Sequence, residues 1–160
     1  FTNKNKLTYC KNVIHEVLRI SSIAPWSARQ FSKDVIVEYE QKYGIKTKVR
    51  IPKGMPIIFG NGVALKLETE WKNSHKFIPE RWNNISDSKT KNTIFGGAIK
   101  TKRICPGYKY FRLETLLFIC VLFSKYKFNI KHNDELYSIK SVYGLVTGAN
   151  IPIYINVSKR

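Results

Sequence analysis

Apolar residues recur at Cys10, Val13, Ile14, Val17 and Leu18. This i, i+3, i+4, i+7, i+8 stripe predicts an amphipathic helix over residues 7–20. Ser21, Ser22 and Pro25 end it. Residues 35–39 and 45–51 are rich in β-branched side chains, and in the second Ile45, Thr47, Val49 and Ile51 alternate with Lys46, Lys48 and Arg50. Both read as short strands. Pro52, Lys53 and Gly54 predict a turn into a further strand over residues 55–59, completing a small antiparallel sheet with its charge on the exposed face.

Residues 68–92 are polar, interrupted by Pro79 and dotted with Trp71, Phe77 and Trp82. They predict a short helix followed by a meandering loop. After Gly107 the stretch 113–123 is apolar except for Glu114 and Thr115, which predicts a buried helix between Gly107 and Tyr126. Its continuous apolar run, residues 116–123, is far shorter than the ~20 residues that cross a bilayer. Residues 142–147 and 151–157 predict a terminal hairpin around Gly148, Ala149 and Asn150. The fold class is mainly α with small antiparallel β-sheets (α+β).

Composition adds bounds to this picture. The chain has 160 residues, enough for a core, and 43% of them are hydrophobic, which excludes a wholly disordered chain. Its 28 Lys plus Arg against 11 Asp plus Glu give a net charge of +17, which first suggests an acidic partner. A basic nucleic-acid-binding module is one reading, supported by 13% aromatics. Against it, the lysines are dispersed through strands, loops and helix ends, and no nucleic-acid-binding motif is present. Cys10, Cys105 and Cys120 are odd in number and widely spaced, so a disulfide scaffold or a zinc site is not expected. The chain opens on Phe1, so its start says nothing about a leader or a membrane anchor.

Three separated signatures carry chemistry. Glu16 and Arg19 lie three apart on one helical face, an arrangement whose plain reading is an exposed ion pair. Pro79, Glu80, Arg81 and Trp82 form the second. The third runs Phe95-Gly96-Gly97-Ala98-Ile99-Lys100-Thr101-Lys102-Arg103-Ile104-Cys105-Pro106-Gly107 and leads into the apolar helix. A cysteine between a glycine-bearing loop and a helix start is placed for reactivity, because helix N-termini favour a thiolate. Pro106 suits the first helical turn. Cys10 and Cys120 sit on apolar helices and read as small buried hydrophobes.

Taken in order, these elements resemble the C-terminal part of a cytochrome P450, a haem-thiolate monooxygenase. Glu16 and Arg19 match the family's E-x-x-R helix, Pro79 to Trp82 its P-E-R-F segment, and Phe95 to Gly107 its haem-binding loop; the I-P-K-G turn at Ile51, Pro52, Lys53 and Gly54 matches too. The resemblance implies that residues 1–160 are the C-terminal third of one incomplete P450 domain: E-x-x-R helix, small sheet, meander, haem loop, buried helix and terminal hairpin. It implies that Cys105 is the axial thiolate on the haem iron, with Arg103 and Arg29 on the haem propionates. Glu16, Arg19 and Arg81 would form a buried structural triad. Ile23, Ala24, Trp26, Gly148 and Ala149 would face substrate, although core packing explains Ile23 and Trp26 equally well.

The family further implies O2-dependent oxidation of a small, apolar organic substrate, with electrons from an NADPH-dependent reductase or another acidic donor, and no nucleic-acid partner. Lys100, Lys102, Lys109 and Arg112 surround Cys105 in sequence and would suit docking of that donor. Attachment to the endoplasmic reticulum through an N-terminal anchor is compatible with the resemblance. The chain also departs from the family pattern. Phe95 lies further from the cysteine than usual, with Ala98 and Thr101 in the places of the family's phenylalanine and glycine, so an inserted, longer loop is expected. Phe111 replaces a small residue, and Lys66, Leu67 and Glu68 replace the family's H-R-D. The oxygen-activating helix has no counterpart in these residues. The 160 residues alone are therefore expected to be inactive and poorly folded, with an uncovered apolar patch. A nonfunctional piece of such a gene is the remaining reading.

Overall fold

A computed structural model describes residues 7–41, 44–85, 94–96, 104–130, 141–143, 147–150 and 152–160. Residues 26–60 form one compact unit and the rest of the chain another. In the larger unit, α1 spans Thr8–Ile20, matching the periodicity. The apolar stripe does not define its buried face, however. Val17 is exposed, while Asn12, His15, Glu16 and Arg19 are buried beside Ile14 and Leu18. Buried polar groups need partners, and the segment 65–83 supplies them.

That segment is a run of turns, not the predicted helix. A one-turn helix, α2 (Asn61–Ala64), precedes it, and a 3-10 helix (Pro79–Asn84) with Pro79 in its first turn closes it. Leu65, Trp71 and Trp82 form a buried cluster, joined at its edge by Ile85 and Ile94. The Glu68 carboxylate caps the intervening turn, accepting from the Ser74 and Asn73 N–H groups, which hold it below its ordinary value. Gly62 is buried where its N–H donates to Pro25 O at 2.7 Å. A Cβ there would come to 3.0 Å from Pro25 Cβ and 3.2 Å from its Cα, so the close approach favours glycine.

The helix α3 spans Tyr108–Lys125 and begins after Gly107, so Pro106 lies in the turn before it. The expectation of a buried helix fails: no residue of α3 is buried, and Leu113 and Phe118 are 65% and 63% exposed. Among the described residues, contacts such as those of Phe95 with Tyr108 and Phe111 cover its apolar circumference only in part. No described helix is long and apolar enough to cross a membrane.

The predicted terminal hairpin is also replaced. β6 (Ser141–Tyr143) pairs antiparallel with β7 (Thr147–Ala149), so Gly148 and Ala149 lie within a strand and not at a tip. The last strand, β8 (Ile155–Lys159), pairs with β5 (Tyr126–Ile130) immediately after α3. The register explains the choice: Phe128 faces Val157 and Ile130 faces Ile155, so both apolar alternations meet on one side of the ribbon.

The smaller unit contains two ribbons in place of one sheet. β2 (Val35–Glu40) pairs with β3 (Lys46–Ile51), with Glu38 opposite Lys48 and Glu40 opposite Lys46 on its charged face. The predicted third strand, β4 (Pro56–Phe59), does not join it. It pairs instead with β1 (Ser27–Gln30), a strand without β-branched residues that the sequence pattern does not reveal. The turn geometry gives the reason. Asp34 accepts from Arg50 and from the Lys53 N–H, which hold its carboxyl low, and Gly54 N–H donates to Phe31 O. These bonds swing the chain away from β3 and back beside residue 31.

Candidate functional site

The Glu16 carboxylate accepts five N–H bonds. Oε1 takes Arg19 Nη2 (2.9 Å), Arg81 Nε (3.0 Å) and the Ile78 N–H (3.0 Å), while Oε2 takes Arg19 Nε (3.0 Å) and the Trp82 indole N–H (2.9 Å). Both side chains of the Glu16–Arg19 pair are 0% exposed, so the plain reading of a surface ion pair is wrong here. Arg19 also donates to Leu65 O and Lys76 O and lies over the Trp71 ring. Arg81 donates to Lys72 O and Asn73 O. Each guanidinium thus joins the Glu16 carboxylate to two carbonyls that the turns present, and α1 is tied to three separate stretches of chain.

Burial alone would push the Glu16 carboxyl up. The bonds from Arg19, Ile78 and Trp82, with the Arg19 charge, outweigh it and hold the group below its ordinary value of 4.5. Three further contributors escaped sequence reasoning. Trp82 is a donor as well as a core residue; Asn12 Nδ2 donates to Asn83 Oδ1 at 2.7 Å; and the His15 ring packs against Trp82 at 5.2 Å. The adjacency of Trp82 to Arg81 was the available signal for the first. Nothing in the local sequence marks the other two.

Cys105 lies in the same unit, in the turn that leads into α3. Its N–H donates to Phe95 O (3.0 Å) and its carbonyl accepts from the Tyr108 N–H (3.2 Å), so the backbone on both sides of the sulfur is held. The thiol is exposed, whereas Cys10 and Cys120 are half-buried, and all three are free. A Cβ at Gly107 would reach Sγ only at 4.0 Å, an ordinary contact. An accessible sulfur with held backbone fits the ligand of a planar metal cofactor. Among the described residues no cluster of His, Cys, Asp and Glu could hold a bare metal ion.

Arg103, with Lys100, Lys102 and the expected loop insertion at Ala98 and Thr101, lies outside the described residues. Arg29 sits on β1 in the smaller unit and donates through Nη1 to Ala28 O at 2.8 Å. Ile23 and Trp26 are 44% and 45% exposed, so core packing does not account for them; Ala24, Gly148 and Ala149 are exposed as well.

A family model described as Cytochrome P450 matches residues 1–154. The chain is 30% identical over 130 residues to cytochrome P450 2D1 of Rattus norvegicus, covering 81% of this chain and 24% of that protein. It is 30% identical over 156 residues to cytochrome P450 20A1 of Bos taurus, covering 97% of this chain and 30% of that protein. It is 28% identical over 146 residues to 3-epi-6-deoxocathasterone 23-monooxygenase CYP90C1 of Arabidopsis thaliana, covering 89% and 25%. The chain therefore spans less than a third of the length of these relatives.

Proposed function

The chain belongs to the cytochrome P450 family, whose members bind haem through a cysteine thiolate, and from that premise we propose that the full-length protein is a haem-thiolate monooxygenase in which Cys105 is the iron ligand. Residues 1–160 are read as the C-terminal part of its single domain. The observation that carries the proposal is the exposed Cys105 sulfur at the start of α3, with its backbone bonded on both sides. When bound, haem supplies the oxygen chemistry: one atom of O2 enters the substrate and the other leaves as water, with two electrons and two protons taken up.

This chain's residues supply the setting. Cys105 offers a sulfur that a planar group can approach without moving the backbone. Arg103 and Arg29 are the proposed partners of the haem carboxylates; Arg29 has guanidinium N–H groups beyond the one that serves Ala28 O. Glu16, Arg19 and Arg81 hold α1 to the turns and do not touch the reacting atoms. Ile23, Ala24, Trp26, Gly148 and Ala149 are the proposed contacts to a small apolar organic substrate. An NADPH-dependent reductase or another acidic donor supplies the electrons, and exposed Lys109 suits its approach. The segment alone supplies the proximal ligand and is not itself an enzyme in this reading.

The test is the carbon-monoxide difference spectrum of the reduced full-length protein with haem. The expected result is a thiolate-type Soret band that disappears in Cys105→Ser. Absence of that band in the unmodified protein, or its survival in Cys105→Ser, would sink the assignment.

A further inference from the structure

The buried lock on α1 and the turn that carries Cys105 are joined by two consecutive residues. Ile94 packs against the Leu65, Trp71 and Trp82 cluster, and Trp82 is the residue whose indole N–H reaches Glu16. The next residue, Phe95, provides the carbonyl that accepts the Cys105 N–H at 3.0 Å. Its ring is gripped by two rings of α3. Tyr108 packs against it with centroids 5.9 Å apart, and Phe111 meets it edge-on at 6.3 Å and 63°. Gly96 follows at φ +72°, turning the chain away directly after the grip.

These contacts form a continuous strut from the core to the sulfur. The peptide that holds Cys105 has its own position set by a core contact at residue 94 and by two aromatic rings of α3. A pivot of Phe95 about its own backbone would move the carbonyl that accepts the Cys105 N–H. The edge-on Phe111 ring restricts that pivot, the ring geometry that aromatic quadrupoles favour. Phe111 also begins the second turn of α3 through its own N–H to Gly107 O at 2.9 Å, so it couples the helix start to the same point.

We propose that Phe111 is a positioning residue for Cys105: acting through the Phe95 ring, it fixes the carbonyl that holds the ligand's backbone and so sets how firmly the sulfur is presented. The proposal rests on the haem-thiolate reading for its consequence, though not for its geometry. Loss of an outer-shell partner of a metal ligand commonly weakens the site 10–100-fold, and the lower end is expected here, because the Cys105 N–H bond itself survives.

The experiment uses the full-length protein, with haem, as Phe111→Ala and Phe111→Tyr. Hydrogen exchange at the Cys105 amide and the rate of haem release are measured beside thermal unfolding. Phe111→Ala should speed both exchange and release about tenfold, with the exchange change confined to residues near 95 and 105–108, and Phe111→Tyr should restore both. General loosening predicts instead faster exchange along all of α3. If Phe111→Ala does not fold, Phe111→Leu keeps apolar volume while removing the aromatic edge, and the same direction of change is expected. Unchanged exchange at Cys105, exchange faster throughout α3, or haem release slowed by removing the ring would each overturn the proposal. Failure of the haem reading is separately visible. A thiolate-type band that persists in Cys105→Ser removes the ligand assignment, while the exchange comparison, which reads backbone amides and not the haem, still decides the role of Phe111.

Discussion

Two helices of one unit invert the usual distribution of side chains. α1 buries a carboxylate, an asparagine, a histidine and an arginine, while α3, far more apolar, buries no residue fully. The difference lies in what each helix meets. Every polar group of the α1 lock meets a partner supplied by residues 65–83, and Glu16 and Arg19 are 0% exposed as a result. Apolar groups on α3 such as Leu113 and Phe118 find no such surface among the described residues. Hydrophobicity states what a helix would bury; only a partner of matching shape determines what it does bury.

The contrast breaks most severely at Glu16. Glu16→Leu would strand Arg19 as a buried, unpaired charge and leave the Ile78 and Trp82 N–H groups without their acceptor, at a cost of about 3–5 kcal/mol in unfolding free energy. Denaturant titration checks this, and a loss below about 1 kcal/mol, the range of exposed pairs, would show that the lock behaves as a surface feature.

Acid should loosen the same contact without a mutation. A carboxyl whose value is lowered on folding stabilises the fold fully above its unfolded value, here 4.5, and that contribution fades as pH falls through the lower folded value. Fluorescence of Trp71 and Trp82, followed downward in pH, should therefore stay constant to about 4.5 and change below it. A transition that begins well above 4.5 would assign the acid sensitivity to some other group.

Trp82→Phe is the finer cut, since it removes the indole donor to Glu16 Oε2 and retains most of the ring packed on Trp71 and His15. The expected cost is about 1.5–3 kcal/mol, the usual worth of a bond to a charged group. A neutral result would mean that Trp82 acts by packing alone.

The smallest effect is expected on the other helix. Phe118→Lys, at a site 63% exposed, should shift the stability of the 160-residue chain by no more than about 0.5 kcal/mol while reducing its self-association in light scattering. A penalty comparable to that at Glu16 would show that this chain covers α3 and would erase the contrast.

The elements that sequence reasoning located well are those whose signal is local. The stripe from Cys10 to Leu18 placed α1 within a residue, and the setting of Cys105 between a glycine-bearing loop and a helix start marked it out from Cys10 and Cys120. What escaped depends on distant partners. The burial of Asn12 is decided by Asn83, and its own helix pattern gives no hint of it. Ser27–Gln30 becomes a strand because β4 returns beside it, and Ile155–Lys159 chooses β5 over its nearer neighbours for reasons of register. The triad of Glu16, Arg19 and Arg81 was legible through motif order, but its fourth member, Trp82, required seeing the indole reach the carboxylate.

The bond between Gly62 N–H and Pro25 O has a consequence for how this chain can be edited. Residues 26–60 are flanked in the chain by two residues of the larger unit that already touch, Pro25 and Gly62. Topologically the segment is a cassette: its ends meet, as they do in inserted domains that tolerate exchange. A library that swaps the β1 to β4 ribbons wholesale, keeping Pro25 and Gly62, would vary Trp26 and Arg29 together while leaving the Glu16 lock and the Cys105 turn with their own hydrogen bonds.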